Sequence, residues 1–494
     1  MQNSVGRRVK IVATLGPSSQ SEERLRALIS SGLDVARLNF SHGDYDFFKG
    51  LIQKIRTLSV EYGRPVAIMQ DLQGPKLRMG MLPEEGVNIE SGSRWILHAG
   101  GIQLEKNTLP VQQEVAEGVF PDLRPGHRIL FDDGKLEASV LRRDGDTVSV
   151  EFKTGGNLRS KKGVNFPDTP LRMSCLTSKD LKDLEFGLQQ EVDAVALSFV
   201  RSSDNVTELK ELIAKNHVGI RPWVVAKIER PEALEEIDRI IRETDVLLVA
   251  RGDMAVEVGN ERVPMIQKDL ITRCNLAGVP VITATQMLES MIQNPSPTRA
   301  EATDVANAVF DGTDAVMLSG ETASGSYPVE ALAMMAKIVV EAERYRNRYA
   351  RVQEILPERG SAVESIEFSA SRIADHVNAK AIVCITHSGM AARVASKYRP
   401  QKRIVAIMDE PIALRRLALV WGVEGVLIQN LVDTDNLFPM VEEALKNHQI
   451  AKDGDVIVIT AGIPTLQRGT TNMIKVHVMG ERAGRERDQI LSRL

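Results

Sequence analysis

Eight short apolar runs constrain the fold of this chain more than any other feature of its sequence. They occupy residues 10–16, 33–40, 65–72, 192–199, 223–229, 245–253, 280–286 and 314–321. Their apolar residues are continuous rather than alternating, which indicates strands buried on both faces, as in a parallel sheet. Segments of helical periodicity, such as "PEALEEIDRIIRETD", separate them. Eight such strand–helix units predict an α/β fold, a (β/α)8 TIM barrel; a doubly wound sheet of two subdomains is the alternative.

The alternation of strand-like and helix-like segments is interrupted once, between the third and fourth apolar runs. Residues 75–167 are rich in Gly and Pro and alternate apolar with polar residues, as in "DTVSVEF". This pattern predicts a small antiparallel β domain inserted after the third strand. A further α/β pattern, with runs such as "AIVCIT" and "DVIVITAG", follows the barrel. We therefore predict a barrel domain of residues 1–74 and 168–347, an inserted domain of residues 75–167 and a C-terminal domain of residues 348–494.

Composition excludes several classes of protein. The 494 residues carry a formal net charge of -4, with 26% charged and 43% apolar residues. There is no basic excess for nucleic-acid binding and no apolar run long enough to cross a bilayer, so neither partner is expected. The first apolar run is too short for a signal peptide. Three isolated cysteines (Cys175, Cys274 and Cys384) favour a reducing compartment. These features predict a cytoplasmic protein.

Polar residues recur where the barrel strands should end. They are Arg37, Asn39 and Ser41, then Asp71, Lys227, Glu229, Arg251, Asp253, Thr285, Ser319 and Glu321. Active sites of TIM barrels lie at the carboxyl ends of the strands. Lys227 taken alone could equally be the structural partner of a carboxylate. So many polar residues at one end of the predicted barrel nevertheless indicate an active site.

The residue types in this predicted site suggest its chemistry. Glu229 and Asp253 are hard oxygen ligands that do not complete a coordination shell, which suits Mg²⁺. Lys227 lies two residues before Glu229 and should point to the same face, where an ammonium suits a developing negative charge on a phosphoryl group or an enolate. Arg37 and Arg78 could bind phosphates. The set favours phosphoryl transfer. A Mg²⁺-dependent lyase or aldolase that forms a pyruvate enolate, and an idle metabolite sensor, are the alternatives.

Motifs along the whole chain resemble those of the pyruvate kinase family. They include "KIVATLGP", "ARLNFSHG", "KIERPEAL", "VARGDMAVEVG", the long segment from Thr285 to Pro328, and "SKYRP". The resemblance implies a barrel domain, a small inserted β-barrel that acts as a lid, a regulatory C-terminal α/β domain and a homotetramer. It also implies the reaction of phosphoenolpyruvate with ADP to give pyruvate and ATP.

The resemblance also implies roles for residues that match the family's motifs. Lys227 would stabilise the transferring phosphoryl group and the enolate, and Arg37 would bind the phosphate of phosphoenolpyruvate. Glu229 and Asp253 would hold Mg²⁺ or Mn²⁺. The substrate carboxylate would lie against Gly252, Asp253 and Thr285. The nucleotide would contact Arg78, Lys179, Asn39 and His42, although the sequence around Lys179 departs from the common family form. His42 could instead be a helix-capping residue. Ala255 stands where many members have glycine.

Lys76, in "DLQGPKLR", marks a second departure from the family. The familiar form of this motif is "DTKGPEIR", with a glutamate at the position of Lys76. Members with that glutamate generally need K⁺, held by residues that match Asn39, Ser41 and Asp71. A fixed ammonium could supply the charge of that K⁺, so the chain resembles the subset of the family that works without K⁺. A solvated loop lysine is the alternative interpretation.

A candidate effector loop lies in the C-terminal domain. Thr386, Ser388 and Gly389 precede a predicted helix, where hydroxyls and backbone amides could bind a phosphate or could form a simple N-cap. The resemblance implies an effector phosphate at this loop. The later loop "AGIPTLQRGTTN" differs from that of members that use fructose 1,6-bisphosphate. We therefore expect a monophosphate effector, such as AMP or ribose 5-phosphate.

Overall fold

The first three predicted strands begin a barrel. A computed structural model of the chain describes residues 6–100, 102, 107–217, 219–349, 355–428, 437–463 and 471–481. Its first elements are β1 (Lys10–Leu15), α1 (Glu22–Ser31), β2 (Val35–Asn39), α2 (Tyr45–Glu61) and β3 (Ala67–Asp71). Every residue of β1 and β3 is buried, as their continuous apolar runs predict. Asp44 is the N-cap residue of helix α2, and its carboxylate accepts the backbone N–H of Phe47.

The chain then leaves the barrel to form the inserted β domain. Its elements are β4 (Val87–Ile89), β5 (Arg94–Ala99), β6 (Thr108–Val111), α3 (Gln113–Val119), β7 (Arg128–Phe131), β8 (Leu136–Asp144), β9 (Thr147–Phe152), β10 (Gly156–Leu158) and β11 (Val164–Asn165). Six strands pair in the order β11-β7-β8-β9-β5-β6, and β10 pairs with β4. Buried and less buried residues alternate along β9. The domain has its own apolar core, in which the rings of Phe131 and Phe152 pack 5.3 Å apart.

The return to the barrel supplies its remaining strands. In chain order the elements are α4 (Ser178–Gln189), β12 (Ala194–Leu197), α5 (Ser203–Asn216), β13 (Trp223–Ile228), α6 (Pro231–Glu235), α7 (Ile237–Glu243), β14 (Val246–Ala250), α8 (Arg251–Val258), α9 (Val263–Ala277), β15 (Val281–Ala284), α10 (Arg299–Asp311), β16 (Ala315–Leu318), α11 (Gly320–Ala323) and α12 (Pro328–Tyr349). Parallel pairing of β1 with β16 closes the ring in the order β1-β16-β15-β14-β13-β12-β3-β2. The TIM barrel is confirmed, and the doubly wound alternative is wrong because the sheet has no edge.

The C-terminal domain is a separate α/β unit. It contains α13 (Ala362–His376), β17 (Ala381–Ile385), α14 (Met390–Lys397), β18 (Arg403–Met408), α15 (Pro411–Arg416), β19 (Val423–Leu427), α16 (Leu437–Asn447), β20 (Val456–Ala461) and β21 (Met473–Val478). The sheet order is β19-β18-β17-β20-β21, with β21 antiparallel to its neighbour. All three cysteines are free and buried. None of the described helices is both long and apolar enough to span a membrane.

Buried polar contacts join the three parts. The Lys10 ammonium, at the start of β1, donates to the carbonyl of Val423 at 2.8 Å. The inserted domain joins the barrel through Glu257 on α8. This buried carboxylate accepts from the Asn165 amide at 2.8 Å and lies 2.9 Å from the Arg230 guanidinium. Because unpaired charges are costly when buried, these contacts hold each connection in one geometry.

Candidate active site

The barrel places four of the predicted residues in one largely buried ionic cluster at the carboxyl ends of β2, β3 and β13. The Lys227 Nζ lies 2.9 Å from Glu229 Oε1 and 3.3 Å from Asp71 Oδ1. On the other side of Asp71, the Arg37 Nε donates to Asp71 Oδ2 at 2.6 Å. We call Arg37, Asp71, Lys227 and Glu229 the cation–carboxylate cluster. Its two cations and two carboxylates come from three strands that only the barrel brings together, with β12 between β13 and β3.

The electrostatics of the cluster keep Lys227 charged. Burial lowers the pKa of the Lys227 ammonium, but Asp71 and Glu229 outweigh that effect and the net pKa is raised. Burial also disfavours ionisation of Asp71, yet Lys227 and Arg37 hold the pKa of that carboxyl below its usual value. An ammonium that stays charged in a dry pocket acts strongly on any anion placed beside it.

Glu229 is the member of the cluster whose charge is least compensated. Burial raises the pKa of its carboxyl, and the nearby Asp253 carboxylate adds to the rise, while Lys227 opposes it. Its Oε2 accepts the backbone N–H of Phe199 at 2.8 Å. Asp253 is exposed at the first turn of α8. No group of three or more His, Cys, Asp or Glu side chains that could hold a metal occurs in the described ranges. Two carboxylates that do not complete a coordination shell fit Mg²⁺, which keeps several waters and takes substrate oxygens.

The loop after β15 faces the start of α8. Thr285 and Gln286 have φ values of 67° and 53°, in the left-handed region that a β-branched residue rarely adopts. The Thr285 hydroxyl accepts the N–H of Gly252 at 2.7 Å. The Arg251 guanidinium donates to the Thr285 carbonyl at 2.6 Å and lies 2.7 Å from Asp304. Left-handed backbone that is held by hydrogen bonds in this way is often found at ligand sites. Here the hydrogen bonds keep Gly252, Asp253 and Thr285 together.

The predicted nucleotide residues are more dispersed. The Lys179 Nζ donates to the Phe40 carbonyl at 2.7 Å and forms an ion pair with Asp183 at 2.6 Å. Arg78 lies at the base of the inserted domain and donates to the Lys161 carbonyl at 3.0 Å. His42 is exposed, and its proposed capping role is wrong because Asp44 caps α2.

The residues of the predicted K⁺ region have partners of their own. The Asn39 side-chain oxygen accepts the N–H of Ser41 at 3.1 Å. Asp71 already contacts Arg37 and Lys227. Lys76 is exposed, and among the described residues its ammonium has no hydrogen bond or ion pair. The structure therefore does not bring Lys76 into contact with Asp71.

Sequence reasoning missed two residues of the site and misjudged one. The Ser198 hydroxyl accepts from Lys227 Nζ at 2.6 Å and donates to the Leu72 carbonyl at 2.8 Å. The backbone N–H of Phe199, a residue whose φ is 56°, donates to the Glu229 carboxylate. Both follow β12, so their position at a strand end was the available signal. Glu321 instead accepts the N–H groups of Leu288 and Ser319, which makes it a structural residue.

The candidate effector loop connects β17 to α14. The Thr386 hydroxyl accepts the N–H of Gly389 at 3.1 Å, and Gly389 has a φ of 83°. Ser388 is exposed, and its hydroxyl has no hydrogen bond within the described part of the chain. The loop therefore combines a local capping contact with one free hydroxyl. Residues 464–470 of the later loop lie outside the described residues.

Comparison with known proteins agrees with this arrangement. The family descriptions "Pyruvate kinase, barrel domain" and "Pyruvate kinase, alpha/beta domain" match residues 6–332 and 364–477. Pyruvate kinase 2 of Synechocystis sp. is 44% identical over 98% of this chain and 82% of its own length. Pyruvate kinase of Staphylococcus aureus strain MRSA252 is 42% identical over 96% of this chain and 81% of its own length. A crystal structure of a pyruvate kinase from Cryptosporidium parvum superposes with a TM-score of 0.89 at 34% identity, covering 96% of each chain. The lyase alternative is not favoured, and the chain belongs to the pyruvate kinase family.

Proposed function

We propose that this chain transfers the phosphoryl group of phosphoenolpyruvate to ADP, giving pyruvate and ATP. The observation that carries the proposal is the charged Lys227 ammonium, whose side chain is 12% exposed, within the cation–carboxylate cluster. The P–O bond to the enol oxygen breaks, a terminal oxygen of ADP binds the phosphorus, and the enolate left behind takes up a proton to become pyruvate. Lys227 neutralises charge on the phosphoryl group and on the enolate as both develop.

Arg37 and the start of α8 position the substrate. The Arg37 guanidinium is held by Asp71 and by the Thr14 hydroxyl at 2.7 Å, so it can bind a phosphate without being reordered. The substrate carboxylate lies against Gly252, Asp253 and Thr285, where helix N–H groups favour an anion. Arg251 holds this loop through the Thr285 carbonyl.

Glu229 and Asp253 would hold Mg²⁺ or Mn²⁺ in this chain. The raised pKa of the buried Glu229 carboxyl, to which the nearby Asp253 carboxylate contributes, supports that assignment, because a cation would relieve both effects. A bound divalent ion neutralises negative charge on substrate oxygens. The inserted domain acts as a lid that brings Arg78 to the nucleotide phosphates. Lys179, Asn39 and His42 complete the nucleotide site, and Lys179 exchanges Asp183 for a phosphate.

Steady-state assays of one charge-removing variant and a matched control test the function. With Mg²⁺ present, pyruvate and ATP are expected in equal amounts only when phosphoenolpyruvate and ADP are both supplied. Lys227→Met should lower kcat by roughly 10²–10³-fold, as for loss of one charge-stabilising donor. Lys182→Met removes the same charge from an exposed site on α4 and should leave kcat unchanged. Pyruvate formation independent of ADP, or full activity of Lys227→Met, would refute the proposal.

We also infer that Lys76 supplies the positive charge for which many relatives use K⁺, beside Asn39, Ser41 and Asp71. Its ammonium is exposed and without a polar partner in the described part of the chain, so it is free to approach the substrate. The enzyme should reach full activity in buffer free of K⁺ and NH₄⁺. Lys76→Glu should create a K⁺ requirement, whereas Lys49→Glu, an equal charge change on α2, should not. A Lys76→Glu enzyme that stays active and indifferent to K⁺ would contradict this role.

The C-terminal domain is proposed as the regulatory part of a cytoplasmic homotetramer. Thr386, Ser388 and Gly389 bind the phosphate of a monophosphate effector such as AMP or ribose 5-phosphate, and the free Ser388 hydroxyl supports this assignment. Either compound should lower the KM for phosphoenolpyruvate, and Ser388→Ala should weaken that effect. Sedimentation would report the tetramer. An unchanged response in Ser388→Ala would move the effector site elsewhere.

A further inference from the structure

A large cationic cavity lies far from the candidate active site, near the amino ends of the barrel strands. Its volume is about 1490 Å³, and seven Arg or Lys side chains but only three Glu side chains line it. The walls include the segment before β1, the less buried side of α12, and Trp421, which precedes β19 in the C-terminal domain. The cavity therefore lies on the junction between the barrel and the C-terminal domain.

Most of the charges that line this cavity are already paired. Arg7 and Arg64 share Asp34, and Arg399 pairs with Asp314 at 2.9 Å. On α12, Arg344 pairs with Glu341 at 2.7 Å. The Glu343 carboxylate accepts the backbone N–H groups of Arg8 and Val9, at 2.9 and 2.6 Å. The acidic side chains are thus occupied and leave no counter-charge for a further cation.

Two of these cations have no hydrogen bond or ion pair within the described ranges: Lys337, which is exposed, and Arg346, which is buried. Arg346 is 8% exposed, yet its guanidinium forms neither a hydrogen bond nor an ion pair with any residue that the structure describes. A guanidinium carries five N–H donors in a planar fork, and leaving such a group buried without acceptors is costly. The Arg346 side chain is one of those that line the cavity.

Like charges increase the strain on Arg346. The guanidinium carbons of Arg8, Arg346 and Arg399 lie 5.1, 5.0 and 4.9 Å from the centre of the Trp421 ring. Burial and the neighbouring Arg399 and Arg8 charges lower the pKa of Arg346 to about 10. Arg8 and Arg399 already donate hydrogen bonds to protein groups: Arg8 to the Pro400 carbonyl and Arg399 to Asp314. The three guanidiniums therefore converge on one wall of the cavity, and among them Arg346 alone has no protein hydrogen bond within the described residues.

We propose that this cavity binds the phosphate group of a small metabolite, with Arg346 as its direct ligand. A guanidinium binds phosphate oxygens through two parallel hydrogen bonds, and Arg8 and Arg399 stabilise the dianion from either side. A doubly charged group matches three clustered cations better than a carboxylate does. The bound phosphate bridges α12 of the barrel and Trp421 of the C-terminal domain, and so it stabilises their junction. The site is separate from both the cation–carboxylate cluster and the Thr386–Gly389 loop.

Titration of the full-length chain with inorganic phosphate, at constant ionic strength, tests this site. Thermal unfolding and tryptophan fluorescence should each show a saturable response in the unaltered protein, since a ligand of the native state raises Tm. Arg346→Gln should weaken that binding roughly tenfold or more, the loss expected for a charge-assisted contact. Arg344, two residues before Arg346, lines the same cavity, but its side chain is exposed and paired with Glu341. Arg344→Gln therefore removes the same charge from a matched control position. Its affinity should stay within about threefold, because an exposed charge acts weakly.

The comparison of variants separates this cavity from other phosphate sites. Phosphate bound near Arg37 or at the Thr386–Gly389 loop contributes equally in all three proteins, so the difference belongs to Arg346. Unchanged binding in Arg346→Gln would overturn the proposal. So would an equal loss in Arg344→Gln, which would indicate a diffuse field rather than a site. An acetate response as strong as the phosphate response would overturn the choice of phosphate. Absence of any saturable response would remove the site altogether.

Discussion

Glu367, on α13, gives the C-terminal domain an unusual dependence on pH. Its side chain is fully buried, and the Cys384 thiol lies 3.7 Å from its Oε2. In the described part of the chain its Oε1 has no hydrogen-bond partner. Burial raises the pKa of this carboxyl from 4.5 to about 8. The native protein therefore keeps a proton that the unfolded chain releases at neutral pH.

The raised pKa sets the sign and size of the effect on stability. Between pH 4.5 and about 8 the native state holds more protons than the unfolded state, so the free energy of unfolding falls as pH rises. By pH 7 the loss is on the order of 3 kcal/mol relative to pH 4.5. The decline ends once the native carboxyl itself ionises. Glu367→Gln keeps the shape and stays neutral, so it should remove the decline and stabilise the domain by a similar amount at pH 7.

Hydrogen exchange of peptides from β17 and β20, measured as a function of pH, reports this change in stability. Both strands lie beside Glu367, and the method measures local stability. Glu364→Gln on the same helix is the control. Lys397 and the backbone N–H of Glu358 bind the Glu364 carboxylate and, despite partial burial, hold its pKa below the usual value. Its stabilising contribution is lost as pH falls, which is the opposite sign. If Glu367→Gln left the pH dependence of exchange unchanged, the reasoning from burial would be refuted.

Three further predictions concern the site and its supports. Arg251→Met should lower kcat/KM for phosphoenolpyruvate by roughly 10²-fold without unfolding the chain, because Arg251 holds the Thr285 carbonyl; Arg251→Lys should recover part of it, and unchanged kinetics would show that the loop holds itself. Glu257→Gln should destabilise the connection to the inserted domain by roughly 3 kcal/mol, since the buried Arg230 then loses its buried carboxylate partner and keeps only Glu232, whose side chain is 30% exposed; limited proteolysis would detect the change, and equal cleavage would contradict it. Chelation should abolish activity and Mg²⁺ or Mn²⁺ should restore it, whereas activity that survives chelation would exclude Glu229 and Asp253 as ligands.

The architecture could be predicted because its signals are local. A strand buried on both faces must be apolar throughout, and eight such runs predicted the eight barrel strands. The predicted ends differ from the observed ends by a few residues: the run of residues 192–199 corresponds to Ala194–Leu197. The alternation in "DTVSVEF" likewise marked β9, whose one face is buried. Polar residues at strand ends then identified Lys227 and Glu229 as neighbours, because their spacing of two is a property of any strand.

Tertiary structure alone decided the partners of these residues. Lys227 meets Ser198 and Asp71 because β12, β13 and β3 are adjacent in the closed ring, a contact between positions 29 and more residues apart. The isolation of Arg346 has the same origin in part, since the Glu343 carboxylate beside it accepts the backbone N–H groups of Arg8 and Val9 from near the start of the chain. The sequence by itself determined the barrel, the insertion and the residue types at the strand ends, all of which follow from local pattern. Which charges were paired, buried or left free depended on packing between distant segments, because a charge's energy is set by everything around it and not by its place along the chain.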